Sequence, residues 1–347
     1  MHVDLFDYEL PAERIAQAAR PRGTSRLLVL ERGNGAIDHR RFEELPGLLR
    51  AGDLLVRNDV AVRPARLYGR DSAGRLVEIF LLSPQEAGSR LWSALAKPGR
   101  RAKSGVRIEF DEGLSAEVVE VRDDGGRSVR FDRPLDAGLL GRIGRTPLPP
   151  YIRREPGAPD RPEDRAAYQT VFAREPLAVA APTAGLHFTE PILAALREGG
   201  VEIVDLTLAV GAGTFKPVTV DDTDAHTLPP EDVHIPSKAR AAIARAKSEG
   251  RRVVAVGTTV ARSLEAAARL VDAPPDGDLR FATDLFITPG FEFRTVDALL
   301  TNFHLPRSTL VMLVSAFAGR ERVLEAYAQA VARGYLFYSF GDAMLIA

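Results

Sequence analysis

Apolar and polar positions follow two rhythms along this chain. In the C-terminal half, short β-branched runs at 201–206 and 252–256 alternate with longer stretches of helical spacing. Thr189-Glu190-Pro191 opens one predicted helix, which glycines close at 199–200. Residues 237–249 predict a second, with Ser237 as the N-cap and Gly250 past its end. A third follows Gly257, and 284–287 and 297–303 predict further strands. Two more helices come next, at 308–319 and 321–334. Such alternation predicts an α/β layer structure with much parallel sheet.

The stretch 65–150 reads differently. Six short strand-like runs lie there, several separated by turn signals such as Ser72-Ala73-Gly74 and Asp123-Asp124-Gly125-Gly126, and no helical period intervenes. This predicts a small antiparallel β-barrel. The expected organisation is a discontinuous α/β catalytic domain, 1–64 and 151–347, interrupted by a barrel insertion over 65–150. Pro147-Leu148-Pro149-Pro150-Tyr151 reads as a rigid return connection and 153–165 as an exposed loop.

Composition narrows the chemistry. The 347 residues hold no cysteine, which excludes disulfides, thiolate catalysis and cysteine–zinc sites. No apolar run is long enough to span a bilayer, and MHVDLFDYEL lacks a signal-peptide pattern, so a cytoplasmic protein is expected. Net charge is −1. Yet between Arg57 and Arg107 eleven basic residues stand against four acidic ones, a local +7 balanced by −8 elsewhere. That asymmetry points either to a polyanionic partner or to a solvated arginine-rich face.

Five stretches could carry chemistry. Gly257, Thr258 and Thr259 follow a buried-looking strand, with Arg262 in the next turn. A strand's carboxyl end meeting a helix N-terminus suits an anionic group, though a capped helix reads the same way. AAPTAGLHF (180–188) places Thr183, Gly185 and His187 in a turn. LTNFHLPRST (300–309) places Asn302 and His304 at a strand end. Either histidine is an acid/base candidate or a structural residue. VGAGTFKPV (210–218) offers Gly211, Gly213, Thr214 and Lys216 but fits neither a dinucleotide fingerprint nor a P-loop. YSFGDAM (338–344) offers Asp342 as a carboxylate base or a turn residue. The six histidines have no metal-ligand spacing, so no metal is expected.

Taken together, PARLYG, PLPPYI, AAPTAGLHFT, VGAGTFKPV, AVGTTVARSLE, LLTNFHLPRSTL and GDAMLI resemble the S-adenosylmethionine:tRNA ribosyltransferase-isomerases of queuosine biosynthesis, from about Asp4 to Ile346. The resemblance implies that S-adenosylmethionine is a co-substrate that donates its ribosyl portion. The acceptor would be an aminomethyl-deazaguanine at the wobble position of a precursor tRNA, giving epoxyqueuosine-tRNA, adenine and methionine. It implies an α/β domain with an inserted barrel and no metal; a monomer is expected. On this resemblance His187, His304 and Asp342 are the acid/base candidates. Thr183, Gly185, Gly211, Gly213, Thr214, Thr258, Thr259, Arg262, Glu265 and Asn302 are the substrate-binding set. The basic stretch, through Arg66, Lys97, Arg100, Arg101 and Lys103, would meet tRNA phosphates.

Departures from the family pattern stand at Val60 and Ala61, where Thr and Arg are usual, at Ala209 and Pro229, where His is usual, and at Phe340, where Tyr is usual. They raise two alternatives: a paralogue that uses a free small-molecule amine or deazapurine, and a non-catalytic RNA-binding protein.

Overall fold

The computed structural model describes residues 1–85, 88, 90–211, 218, 220–271 and 276–347. In chain order its strands are β1 (Arg26–Leu30), β2 (Ile37–Arg41), β3 (Leu54–Asn58), β4 (Arg66–Asp71), β5 (Leu76–Pro84), β6 (Leu91–Lys97), β7 (Arg107–Glu109), β8 (Ser115–Val121), β9 (Arg127–Phe131), β10 (Glu202–Leu208), β11 (Glu231–Ile235), β12 (Val253–Val256), β13 (Leu279–Thr283), β14 (Ala298–Asn302) and β15 (Ala343–Ile346). The helices are α1 (Leu45–Leu48), α2 (Ala137–Ile143), α3 (Pro162–Ala167), α4 (Glu190–Glu198), α5 (Ser237–Ser248), α6 (Thr258–Ala267), α7 (Thr309–Ala318) and α8 (Arg320–Ala332). Two compact units result: Met1–Ala61 with Gln169–Glu175 and Ala181–Ala347, and Val62–Tyr168 with Pro176–Ala180.

Among the described residues, the first unit holds a nine-stranded mixed sheet ordered β13-β11-β10-β3-β12-β14-β15-β1-β2. Its centre, β10-β3-β12-β14, is parallel. Strands β3, β12 and β14 are buried at every position, as strands covered on both faces must be. Apolar side chains of β12 and β14 (Val254, Val256, Ala298, Leu300) pack with Phe42, Ala184, Phe188 and the inner face of α4. Strand β15 runs antiparallel to β14, which sets Asn302 opposite Ala343.

The second unit holds a closed barrel ordered β4-β5-β6-β9-β8-β7. Closure depends on Gly69. A Cβ there would lie 2.6 Å from Ile108 and 2.8 Å from Phe110, so only glycine lets β4 reach β7.

Two expectations are corrected. Residues 284–287 form no strand; the strand is β13, just before them, whose alternating burial matches its pairing with β11. The segment 153–165 is not all loop. Pro162 opens α3, with Glu163 and Asp164 in its first turn, and Asp164 clamps Arg154 through bonds of 2.7 Å.

Candidate active site

The site is built where β14 ends and a 3-10 turn, Thr183–His187, packs beside it. His187 is 4% exposed, with Phe42 against its ring. Its Nδ1 lies 2.7 Å from Ser25 Oγ and its Nε2 3.1 Å from Asn302 Nδ2. The amide orientation of Asn302 is fixed independently, because Nδ2 also donates to the Tyr338 carbonyl at 3.0 Å. Nε2 is therefore the acceptor, and Nδ1 carries the proton and donates to Ser25. Burial, with a smaller contribution from nearby Arg22, pulls the His187 pKa down to about 4, so the imidazole is neutral at physiological pH.

The Asn302 carbonyl, Oδ1, is buried without a hydrogen-bond partner, and so is Thr170 Oγ1. A buried amide oxygen without a donor costs about 1–3 kcal/mol, which makes it a natural point of substrate contact. Gly257 adds the next wall. Its φ of +92° starts α6 from the left-handed region, and a Cβ there would lie 3.6 Å from the Ala184 side chain. Its N–H donates to the Leu300 carbonyl at 2.7 Å. The structure thus joins the Thr183–His187 turn, the start of α6 with Thr258 and Thr259, and Asn302 at one carboxyl edge of the sheet. The first N–H groups of α6 there have no intrahelical acceptor and favour an anion.

His304 does not join them. Successive strand residues point to opposite faces, so Thr301 and Asn302 face apart. The His304 Nε2 bonds Thr301 Oγ1 at 2.9 Å, its carbonyl accepts from the Tyr8 hydroxyl, and its N–H donates to the Tyr327 hydroxyl at 3.1 Å. Burial pulls its pKa down to about 3. Aromatic rings of Tyr8, Phe303, Tyr327 and Phe337 pack around this segment. The arrangement is that of a structural histidine.

Other candidates take different work from that expected. Asp342 is fully buried, and its carboxylate accepts from the Arg26 and Leu336 N–H groups and from Arg20, so it ties β15 to β1 rather than offering a free base. Glu265 accepts from the N–H groups of Arg294, Thr295 and Val296 and pairs with Arg269, which pins a loop rather than a substrate. Gly185 is required for packing: a Cβ would lie 2.8 Å from Phe172 and Thr170. Arg262 is ion-paired with Glu231, whose other oxygen accepts from Gly211 N–H at 2.9 Å. Burial lowers the Arg262 pKa to about 10, which leaves it charged. Gly213, Thr214 and Lys216 lie outside the described residues. Among the described residues no group of three metal-ligating side chains is placed to hold an ion.

Ser25 and Glu231 were not legible as site residues. Ser25 is an isolated serine before an apolar run. Glu231 lies two residues after the divergent position Pro229, and nothing else in the sequence marks it. Of the divergent positions, Ala61 and Ala209 use backbone N–H groups to pair with Glu175 and Asp232 carbonyls, and Val60 and Phe340 are buried apolar residues.

The basic stretch divides between the two units. Arg57 belongs to β3, buried and bidentate with Asp205. In the barrel unit Arg66 pairs with Glu78 and Arg101 donates to the Leu76 carbonyl, whereas Lys97, Arg100 and Lys103 are exposed. Arg66, Tyr68, Lys97, Arg101 and Arg145 help line a cleft of about 560 Å³ within that unit.

Comparison with known proteins agrees with this architecture. Residues 3–346 match the family described as queuosine biosynthesis protein. A relative from Heliobacterium modesticaldum, 53% identical over the full length of both chains, is named S-adenosylmethionine:tRNA ribosyltransferase-isomerase. So is one from Xanthomonas oryzae, 52% identical over 98% of this chain and 95% of its own. The crystal structure of S-adenosylmethionine tRNA ribosyltransferase from Thermotoga maritima covers 99% of this chain and 100% of its own, at 40% identity and a TM-score of 0.57. On sequence and fold alike, this chain belongs to the queuosine biosynthesis protein family.

Proposed function

We propose that this chain is an S-adenosylmethionine-dependent transferase that moves the ribosyl group of S-adenosylmethionine onto a tRNA base and isomerises it, with adenine and methionine released. The acceptor on this reading is an aminomethyl-deazaguanine at the wobble position. The observation that carries it is the neutral His187, held by Ser25 and Asn302 beside the start of α6, with Asn302 Oδ1 left without a donor.

The chemistry makes three demands. The sulfonium acidifies its C5′ hydrogens, so a lone pair must take that proton. Adenine leaves with the glycosidic electron pair and takes up a proton, and the C5′–S bond breaks with its pair going to the cationic sulfur, which gives methionine. The acceptor amine must be neutral when it forms the new C–N bond. His187 supplies the lone pair at Nε2 once Asn302 Nδ2 yields it, and the Ser25 contact holds the tautomer that leaves Nε2 free. Asn302 Oδ1 accepts from a substrate N–H. Thr258, Thr259 and the first N–H groups of α6 receive the methionine carboxylate. Arg262, neutralised by Glu231, shapes that end of the site rather than binding the carboxylate alone.

The tRNA reading rests on charge. Lys97, Arg100 and Lys103 project from the barrel unit without an acidic partner among the described residues, as phosphate-binding side chains do. The test is adenine release from S-adenosylmethionine. Release only in the presence of precursor tRNA is expected. Release that instead needs a free small amine, or none under any condition, would overturn the reading.

A further inference from the structure

A second basic concavity lies in the sheet unit, on its outermost strand pair. Strands β1 and β2 are antiparallel, and their register sets Arg26 directly opposite Arg41. Like charges in that position destabilise a sheet, so the pair needs another explanation than folding. His39, two residues from Arg41, shares its face, and Arg333 and Tyr335 complete the wall of a pocket of about 420 Å³.

The arginines are held in place but not neutralised. Arg26 donates to the Arg333 carbonyl at 2.6 Å and lies with its guanidinium 5.2 Å from the centre of the Tyr335 ring. Tyr335 in turn holds His39 Nδ1 at 2.8 Å. Arg26, Arg41 and Arg333 have no carboxylate partner among the described residues; Glu44, the acid of this wall, is paired with Arg40. Burial lowers the His39 pKa, with smaller contributions from Arg333 and Arg26 that Gln329 and Asp38 partly oppose.

We propose that Arg26, Arg41 and Arg333 form a phosphate-binding pocket that takes a backbone phosphate of the tRNA. Three guanidiniums around one cavity, one of them braced by an aromatic ring, match the forked geometry with which arginine grips phosphate oxygens. The pocket adjoins the candidate active site through the chain itself. Arg26 opens β1 and follows directly on Ser25, whose hydroxyl holds His187. A phosphate held here would fix the nucleic acid one residue away from the imidazole's anchor. This inference rests on the reading of tRNA as substrate.

The test uses the full chain and a precursor tRNA, with affinity measured across salt concentrations. Doubly charge-reversed Arg41→Glu/Arg333→Glu is expected to bind at least tenfold more weakly than wild type. The slope of log affinity against log salt should be shallower by about 0.7–0.9, the share of one phosphate contact. Lys238→Glu/Arg280→Glu, both exposed and outside the pocket, changes net charge equally and should keep most of the slope. His39 ring resonances should move toward the protonated form when wild type binds tRNA. Wild-type binding with an unchanged slope in Arg41→Glu/Arg333→Glu, or an equal loss in the control pair, would overturn the pocket alone. Failure of wild type itself to bind tRNA would overturn the substrate reading instead.

Discussion

Two buried, neutral histidines meet neighbouring residues at the end of β14, His187 through Asn302 and His304 through Thr301, and they are built for opposite ends. His187 is clasped by Ser25 and Asn302, and that asparagine keeps an unanswered carbonyl beside the glycine-started helix α6. His304 bonds Thr301 while its main chain is closed off by Tyr8 and Tyr327 within an aromatic cluster. Both imidazoles lose their charge to burial. The difference is that one polar network is closed and the other is one donor short. A complete network stabilises; an incomplete buried one marks the place where a ligand finishes it.

The sharpest way to break this contrast is to remove each imidazole. His187→Ala should lower adenine release by about 10² to 10⁴-fold while the chain stays folded by circular dichroism. A loss under about tenfold would take His187 out of the mechanism. Asn302→Asp should come next. It places an acceptor where Nε2 needs a donor and raises the His187 pKa, so turnover should fall by about 10²-fold and the pH profile of what remains should move upward. An unchanged profile would mean that Asn302 does not touch the reacting imidazole.

Stability should then follow pH in a way both histidines share. Each has its folded pKa below the ordinary 6.5, at about 4 for His187 and about 3 for His304. Above pH 6.5 neither state takes a proton. As pH falls from 6.5 toward 4, the unfolded chain binds protons that the folded chain refuses, and stability drops by about 1.4 kcal/mol per pH unit for each site. Urea denaturation at pH 7.5 and 5.5 reads this directly, and His304→Gln should remove its share of the slope. His304→Ala at neutral pH should lower stability by about 1–3 kcal/mol yet keep turnover within about tenfold of wild type. The smallest effect belongs to the barrel unit, where Arg100→Glu/Lys103→Glu should weaken tRNA binding severalfold and flatten its salt dependence.

Much of the fold was legible because periodicity reports burial. The short alternating runs of 65–150 and their turn signals anticipate a closed barrel, and the buried runs at 252–256 and 297–303 anticipate parallel core strands. The reading slipped at 284–287 because a short apolar run carries no information about which neighbour it will meet; β13 was selected instead by its pairing with β11. The N-terminal contribution was less visible still. Ser25 reaches His187 across 162 residues, and nothing local to either residue announces that contact.

The site shows the same limit. Motifs brought out His187, Asn302, His304 and Asp342 together, but motif membership does not distinguish a residue that meets substrate from one that holds the scaffold. Asp342 and Glu265 accept two and three backbone N–H groups, which is scaffold work. The opposed faces of Thr301 and Asn302 follow from strand parity alone, once β14 is placed.

Histidine ¹⁵N spectra of the wild-type chain, recorded with and without S-adenosylmethionine, test the central claim most directly. Six histidines make the spectrum assignable. The account expects His187 to begin as the Nδ1–H tautomer and to shift on addition of S-adenosylmethionine, while His304 stays where it was. Movement at His304 with His187 unchanged would contradict it.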